Sequence, residues 1–157
     1  MQGRECQSIM GVGILEQPRV APPKNRPYCR ILIVDDDEAM VDVLSRRLSQ
    51  QGFETLAAYS GESGLTLARK ELPVLILLDL RLPDQDGLAV CEQLVDSAAT
   101  CDIPVIVLSG LDRPDILRRC RAAGCHYFVR KPYDPNALLV LIRQAITDSG
   151  RGDALPS

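Results

Sequence analysis

From Arg30 to about Asp148 the chain alternates short apolar runs with stretches of helical periodicity. Ile31-Leu32-Ile33-Val34, Val74-Leu75-Ile76-Leu77-Leu78 and Val105-Ile106-Val107-Leu108 are unbroken apolar runs of strand length. A run without polar alternation suits a strand covered on both faces. Residues 53–58 and Tyr127-Phe128-Val129 read as two further strands. Between them, apolar positions at helical spacing predict helices over 37–51, 62–71, 88–96, 112–123 and 136–147. Their ends carry local signals: Asp37 as an N-cap, Gly52 and Gly124 as stops, and Pro73 closing the second helix. The turn sequence Pro83-Asp84-Gln85-Asp86-Gly87 precedes the third helix.

Five strands alternating with five helices imply an α/β fold, a doubly wound five-stranded parallel sheet covered on both faces. The flavodoxin-like strand order 2-1-3-4-5 makes the first and third strands neighbours, about 4.8 Å apart. This regular region spans residues 28–148. Residues 1–27 read as a proline-rich extension, because residues 17–27 hold four prolines and three cations and fit an extended or disordered linker. Residues 149–157 read as a frayed C-terminal tail.

Composition narrows the function. A net charge of −3 and only 4% aromatic residues, with no Trp, argue against direct nucleic-acid binding. The longest apolar runs are too short for membrane insertion, and the first residues make a poor signal peptide. Cys6, Cys29, Cys91, Cys101, Cys120 and Cys125 include no Cys-x-x-Cys pair, and His126 alone could complete a zinc site. An even number leaves disulfides arithmetically open. A core-rich chain without a secretory signal favours reduced thiols acting as small buried hydrophobes in a cytoplasmic protein.

Ligands of such sheets bind beyond the carboxyl ends of the strands. There the chain offers Asp35-Asp36-Asp37 after the first strand, Asp79 after the third, Ser109-Gly110 after the fourth and Arg130-Lys131-Pro132 after the fifth. Carboxylates from adjacent strands repel by roughly 4 kcal/mol per close pair at an effective dielectric of about 20. Such a cluster binds a cation or stays partly protonated, and oxygen-only donors suit Mg²⁺. Singly, each residue has a plainer explanation: Asp79 as a turn former, Ser109 as a turn serine, Lys131 as a rim lysine, Phe128 as core. Convergence of four strands on one edge favours a site.

With these pieces assembled, the sequence resembles the receiver domains of two-component response regulators, including single-domain chemotaxis regulators. The matching pieces are Ile31-Leu32-Ile33-Val34-Asp35-Asp36-Asp37-Glu38, Leu78-Asp79-Leu80-Arg81-Leu82-Pro83-Asp84-Gln85-Asp86-Gly87, Leu108-Ser109-Gly110 and Phe128-Val129-Arg130-Lys131-Pro132. The resemblance implies that Asp79 accepts a phosphoryl group. It implies Mg²⁺ held by Asp36, Asp79 and the backbone carbonyl of Arg81, with Asp35 acting through water. Ser109 corresponds to the switch hydroxyl, Phe128 to the switch aromatic and Lys131 to the phosphate-pairing lysine. It also implies a cis Lys131–Pro132 bond. The implied partners are a sensor histidine kinase or phosphotransfer protein and a downstream protein of unknown identity. The implied catalysis is limited to the protein's own phosphotransfer and dephosphorylation, so the chain is not an enzyme in the usual sense. No output domain is expected after Asp148, so signalling is expected through the face of the fourth helix, fifth strand and fifth helix.

The fifth helix contains Leu138-Leu139-Val140-Leu141-Ile142 and is apolar nearly all round. A docking or homodimer surface is one reading, and burial under neighbouring loops is the other. Arg113, Arg118, Arg119 and Arg121 read as a solvated face. Three rival functions fit the pattern less well. An aspartyl-nucleophile phosphohydrolase needs Asp-x-Asp after the first strand, a flavodoxin-type domain needs a phosphate loop where this chain has acids, and a receiver-like module without phosphorylation has no need of a complete acidic pocket.

Overall fold

The computed structural model describes residues 30–156. The proline-rich extension, Cys6 and Cys29 lie outside the described residues. Five strands are present: β1 (Arg30–Val34), β2 (Glu54–Ala58), β3 (Leu75–Asp79), β4 (Val105–Ser109) and β5 (Tyr127–Arg130). They alternate with helices α1 (Glu38–Gln50), α2 (Gly61–Glu71), α3 (Gly87–Asp96), α4 (Ile116–Ala122) and α5 (Pro135–Asp148). All neighbouring strands pair in parallel in the order β2-β1-β3-β4-β5, as expected.

The pleat divides the apolar runs between two cores. Leu32 and Val34 of β1, Ile76 and Leu78 of β3, and Val105 and Val107 of β4 face the layer formed with α2, α3 and α4. Ile31, Ile33, Leu75, Leu77, Ile106 and Leu108 face α1 and α5. The period of two thus survives inside runs that carry no polar alternation, because both faces are dry. Helix α1 supplies Val41, Leu44 and Leu48, and α5 supplies Leu138, Ile142 and Ile146. Each helix therefore buries one stripe.

Caps set the helix entrances. Asp37 accepts from the Met40 N–H at 3.2 Å, and Ser60 caps α2 through the Ser63 N–H at 3.1 Å. Gly52 has φ +93°, a left-handed value that a side chain would strain. Helix α4 is shorter than the expected 112–123. Arg113 precedes Pro114, which biases it away from helical geometry, and the helix begins only at Ile116.

The segment after α5 is not frayed. A short 3-10 turn spans Gly152–Ala154, Ala154 is buried and Leu155 packs on the α1–α5 core. Pro156 lies against Gly52, where an added Cβ would fall 2.6 Å from the proline Cβ. Among the described residues, no helix is long and apolar enough to cross a membrane.

Candidate functional site

The central strands bring the expected residues together. Val34 stands opposite Leu78 in the β1–β3 register, so Asp35 leaves β1 beside Asp79, the last residue of β3. Ser109 ends β4 and pairs with Arg130, which places Lys131 one residue beyond the β4–β5 edge. The Lys131 N–H donates to the Ser109 carbonyl at 2.9 Å, and the Lys131–Pro132 bond is cis, as expected.

Carboxylate oxygens of Asp35, Asp36 and Asp79 lie within 4.8 Å of one another. Asp35 is 4% and Asp79 8% exposed, whereas Asp36 stands in solvent. Lys131 Nζ lies 3.0 Å from Asp35 Oδ2 and 3.7 Å from Asp79 Oδ1. One ammonium therefore stands against two of three clustered carboxylates, whose oxygens are the pocket's candidate cation ligands. That set fits a hard divalent cation, which would compensate the remaining charge.

The electrostatics follow from burial. Desolvation pushes the Asp79 carboxyl above the usual carboxylate range. Lys131 opposes that rise, Asp35 adds to it, and the N–H groups of Arg81 and Leu80 oppose it. Burial also works against the charged form of Lys131, but its hydrogen bond to Asp35 and the charge of Asp79 outweigh it, so the ammonium is held above its ordinary value. Half-buried Tyr133 is raised by the same desolvation, against the pull of Lys131.

The loop after β3 is fixed by its acids. Asp84 accepts from the Gly61 N–H at 2.8 Å and the Glu62 N–H at 2.9 Å, and so caps α2 from across the sheet edge. Those bonds hold its carboxyl below the usual range. Asp86 caps α3 through the Leu88 N–H at 2.9 Å, and its backbone forms an isolated antiparallel bridge with that of Arg81. Gly87 is pressed onto the strand end, where a Cβ would fall 2.6 Å from the Asp79 carbonyl and from Leu80 Cα.

Ser109 is fully buried, and its hydroxyl accepts from the Leu111 N–H at 3.0 Å. Phe128 is half-buried on the α2–α4 side. Arg81 is exposed, and its guanidinium lies over Gly110 at the pocket rim, 3.7 Å from the position of an added Cβ. Sequence reasoning passed over the Asp84 cap, Tyr133 and the contact between Cys91 and Cys125. The turn signal around Asp84 pointed to the first. Residues 34 positions apart gave no sign of the last.

An open parallel sheet with this strand order, an acidic pocket at its central strand ends and an amine set against two of its carboxylates define a class of small α/β domain. The model of the response regulator receiver domain matches residues 31–143, and the chain belongs to that family. Relatives include the response regulator PleD of Caulobacter vibrioides, 38% identical over 73% of this chain and 25% of PleD. The DNA-binding dual master transcriptional regulator RpaA of Synechocystis is 36% identical over 78% of this chain and 51% of RpaA. The chain thus spans a quarter to a half of the length of these relatives. The crystal structure of a CheY-like receiver domain protein from Methanospirillum hungatei JF-1 is similar at TM-score 0.73 and 29% identity, over 78% of this chain and 96% of that one. Members of this family are phosphorylation-dependent switches of two-component systems, and their acidic pockets generally bind Mg²⁺.

Proposed function

We propose that this chain is a two-component signalling switch that carries its phosphoryl group on Asp79. The observation that carries the reading is the single ammonium of Lys131 set between buried Asp35 and Asp79, beside the exposed carboxylate of Asp36. Asp79 attacks the phosphorus of a donor, an Asp79 oxygen–phosphorus bond forms, and the donor's bond to phosphorus breaks with its electron pair leaving on the donor. The donor is a phosphohistidine of a sensor histidine kinase or phosphotransfer protein. Asp35, Asp36, Asp79 and the backbone carbonyl of Arg81 would hold Mg²⁺, which when bound offsets repulsion between carboxylate and phosphoryl oxygens.

Lys131 then pairs with a phosphoryl oxygen as a point donor. The Ser109 hydroxyl accepts one hydrogen bond and keeps its own proton available for donation. Its movement toward the phosphoryl group opens space for Phe128 to turn inward. That step changes the surface of α4, β5 and α5, where Leu117 is 50% and Val140 70% exposed, and where a downstream protein or second copy docks. The chain works in the cytoplasm, binds no nucleic acid through this domain, and turns over no substrate beyond its own phosphoryl group.

Mass spectrometry after incubation with acetyl phosphate and Mg²⁺ tests the reading. One phosphoryl group is expected on the wild type and none on Asp79→Asn. Equal labelling of both would overturn it.

A further inference from the structure

Helix α3 and the turn between α4 and β5 are pressed together at two points. Gly124, at φ +96°, packs so closely that a Cβ there would lie 2.6 Å from Val95 Cγ2. One residue on, the sulfurs of Cys125 and Cys91 are in contact at 2.7 Å. Cys91 is fully buried and Cys125 is 6% exposed. Both lie in the α2–α4 core, apart from the acidic pocket. Two thiols this close need little movement to reach the bond length of a disulfide, about 2.04 Å.

We infer that Cys91 and Cys125 form a modification site, a thiol pair that a small peroxide converts to an intramolecular disulfide joining α3 to the turn before β5. The Cys91 sulfur attacks one peroxide oxygen, the O–O bond breaks, and the departing hydroxide takes the thiol proton to become water. The Cys125 sulfur then attacks the resulting sulfenic sulfur. Its S–O bond breaks, and the leaving hydroxide takes the Cys125 proton to give a second water. The two thiols lose two electrons and the peroxide gains them.

The roles follow from the contact. The Cys125 thiol donating to Cys91 holds the Cys91 thiol below its usual range, against the effect of burial. The same bond, with burial, pushes Cys125 up. Access comes through α4, a seven-residue helix whose Asp115 makes no side-chain capping bond, so its opening is expected to be easier than that of the sheet. Cys120, 3% exposed on the same helix, is the internal competitor, and burial pushes its thiol up. The inference rests on no reading of the acidic pocket.

The test treats the full chain with hydrogen peroxide, alkylates it in denaturant and maps the peptides by mass spectrometry. Free Cys91 and Cys125 peptides are expected to disappear together, replaced by one linked pair that dithiothreitol removes. Cys101→Ser leaves the link intact, whereas Cys91→Ala and Cys125→Ala, checked for folding by circular dichroism, abolish it. Amide exchange across residues 116–122 is expected to slow on oxidation. Recovery of both thiols in alkylated form, a link to Cys120 in place of this pair, or unchanged exchange in the linked protein would overturn the inference; the wild-type map decides even if a variant fails to fold.

Discussion

Lys131 stands 3.0 Å from Asp35 and 3.7 Å from Asp79, so the tighter pairing goes to the acid that is not the proposed acceptor. Lys131→Met removes the compensating charge from two buried carboxylates. It is expected to cost about 2 kcal/mol of stability in metal-free buffer. Urea denaturation in the presence of a chelator measures it, and acetyl phosphate labelling is expected to slow in the same variant.

Asp79 is expected to destabilise the fold at neutral pH in the absence of a cation. Its folded-state carboxyl is raised above 3.8 chiefly by desolvation, so the folded state binds the proton more readily than the unfolded chain. Its favourable contribution is full below the unfolded value and is lost as pH rises through the raised one. Asp79→Asn is therefore expected to be more stable than the wild type at neutral pH without Mg²⁺, with the gain shrinking on acidification. Denaturation midpoints of the two proteins across that range decide the sign.

Asp84 acts in the opposite sense. Its carboxyl is held low by the Gly61 and Glu62 N–H groups, so its contribution is present above 3.8 and lost as pH falls through the depressed folded value. Asp84→Ala is expected to be less stable than the wild type at neutral pH and equal to it in strong acid. Thermal melts at both pH values make the comparison.

Gly87 allows the turn after β3 to lie on the end of the strand. Gly87→Ala drives a methyl into the Asp79 carbonyl and Leu80 backbone, neither of which can rotate away. A loss of about 2 kcal/mol is expected from overpacking. Because the displaced atoms include the carbonyl of the proposed acceptor, labelling at Asp79 is expected to fall with stability.

Val140 and Leu117 separate packing from docking. Both are exposed, so Val140→Asp and Leu117→Asp are expected to change stability by under about 0.5 kcal/mol. Sedimentation with beryllofluoride as a phosphate mimic then reads assembly: the wild type is expected to sediment faster with the mimic, and the variants are not. A wild type that stays monomeric removes the homodimer version.

The layered sheet was legible because dry strands leave runs that nothing else produces, as at residues 74–78 and 105–108. The pocket was legible because strand ends are the fixed points of such a fold, and Asp35, Asp79, Ser109 and Lys131 sit at them. Boundaries moved by a residue or so where a polar group ends a strand, as Asp79 and Ser109 do, because backbone pairing continues past the last apolar side chain. The late start of α4 was the larger miss, since the apolar period ran on through residues that Pro114 disfavours as helix. The α5 stripe resolved into a mixture: Leu139 and Leu141 are half-covered, whereas Val140 projects. Contacts closed by tertiary packing, such as Cys91 with Cys125, have no local signature.

Strand β3 is enclosed along its length: Leu75, Ile76, Leu77 and Leu78 are each at most 1% exposed, with a paired strand on either side. Asp79, the proposed acceptor, is thus mounted on a strand held on both edges and covered on both faces. A displacement set off by the proposed modification of Asp79 is expected in the connections beyond β4 and β5 rather than in β3. On the proposed reading, the signal would leave sideways, along the loops, while the central beam stays still.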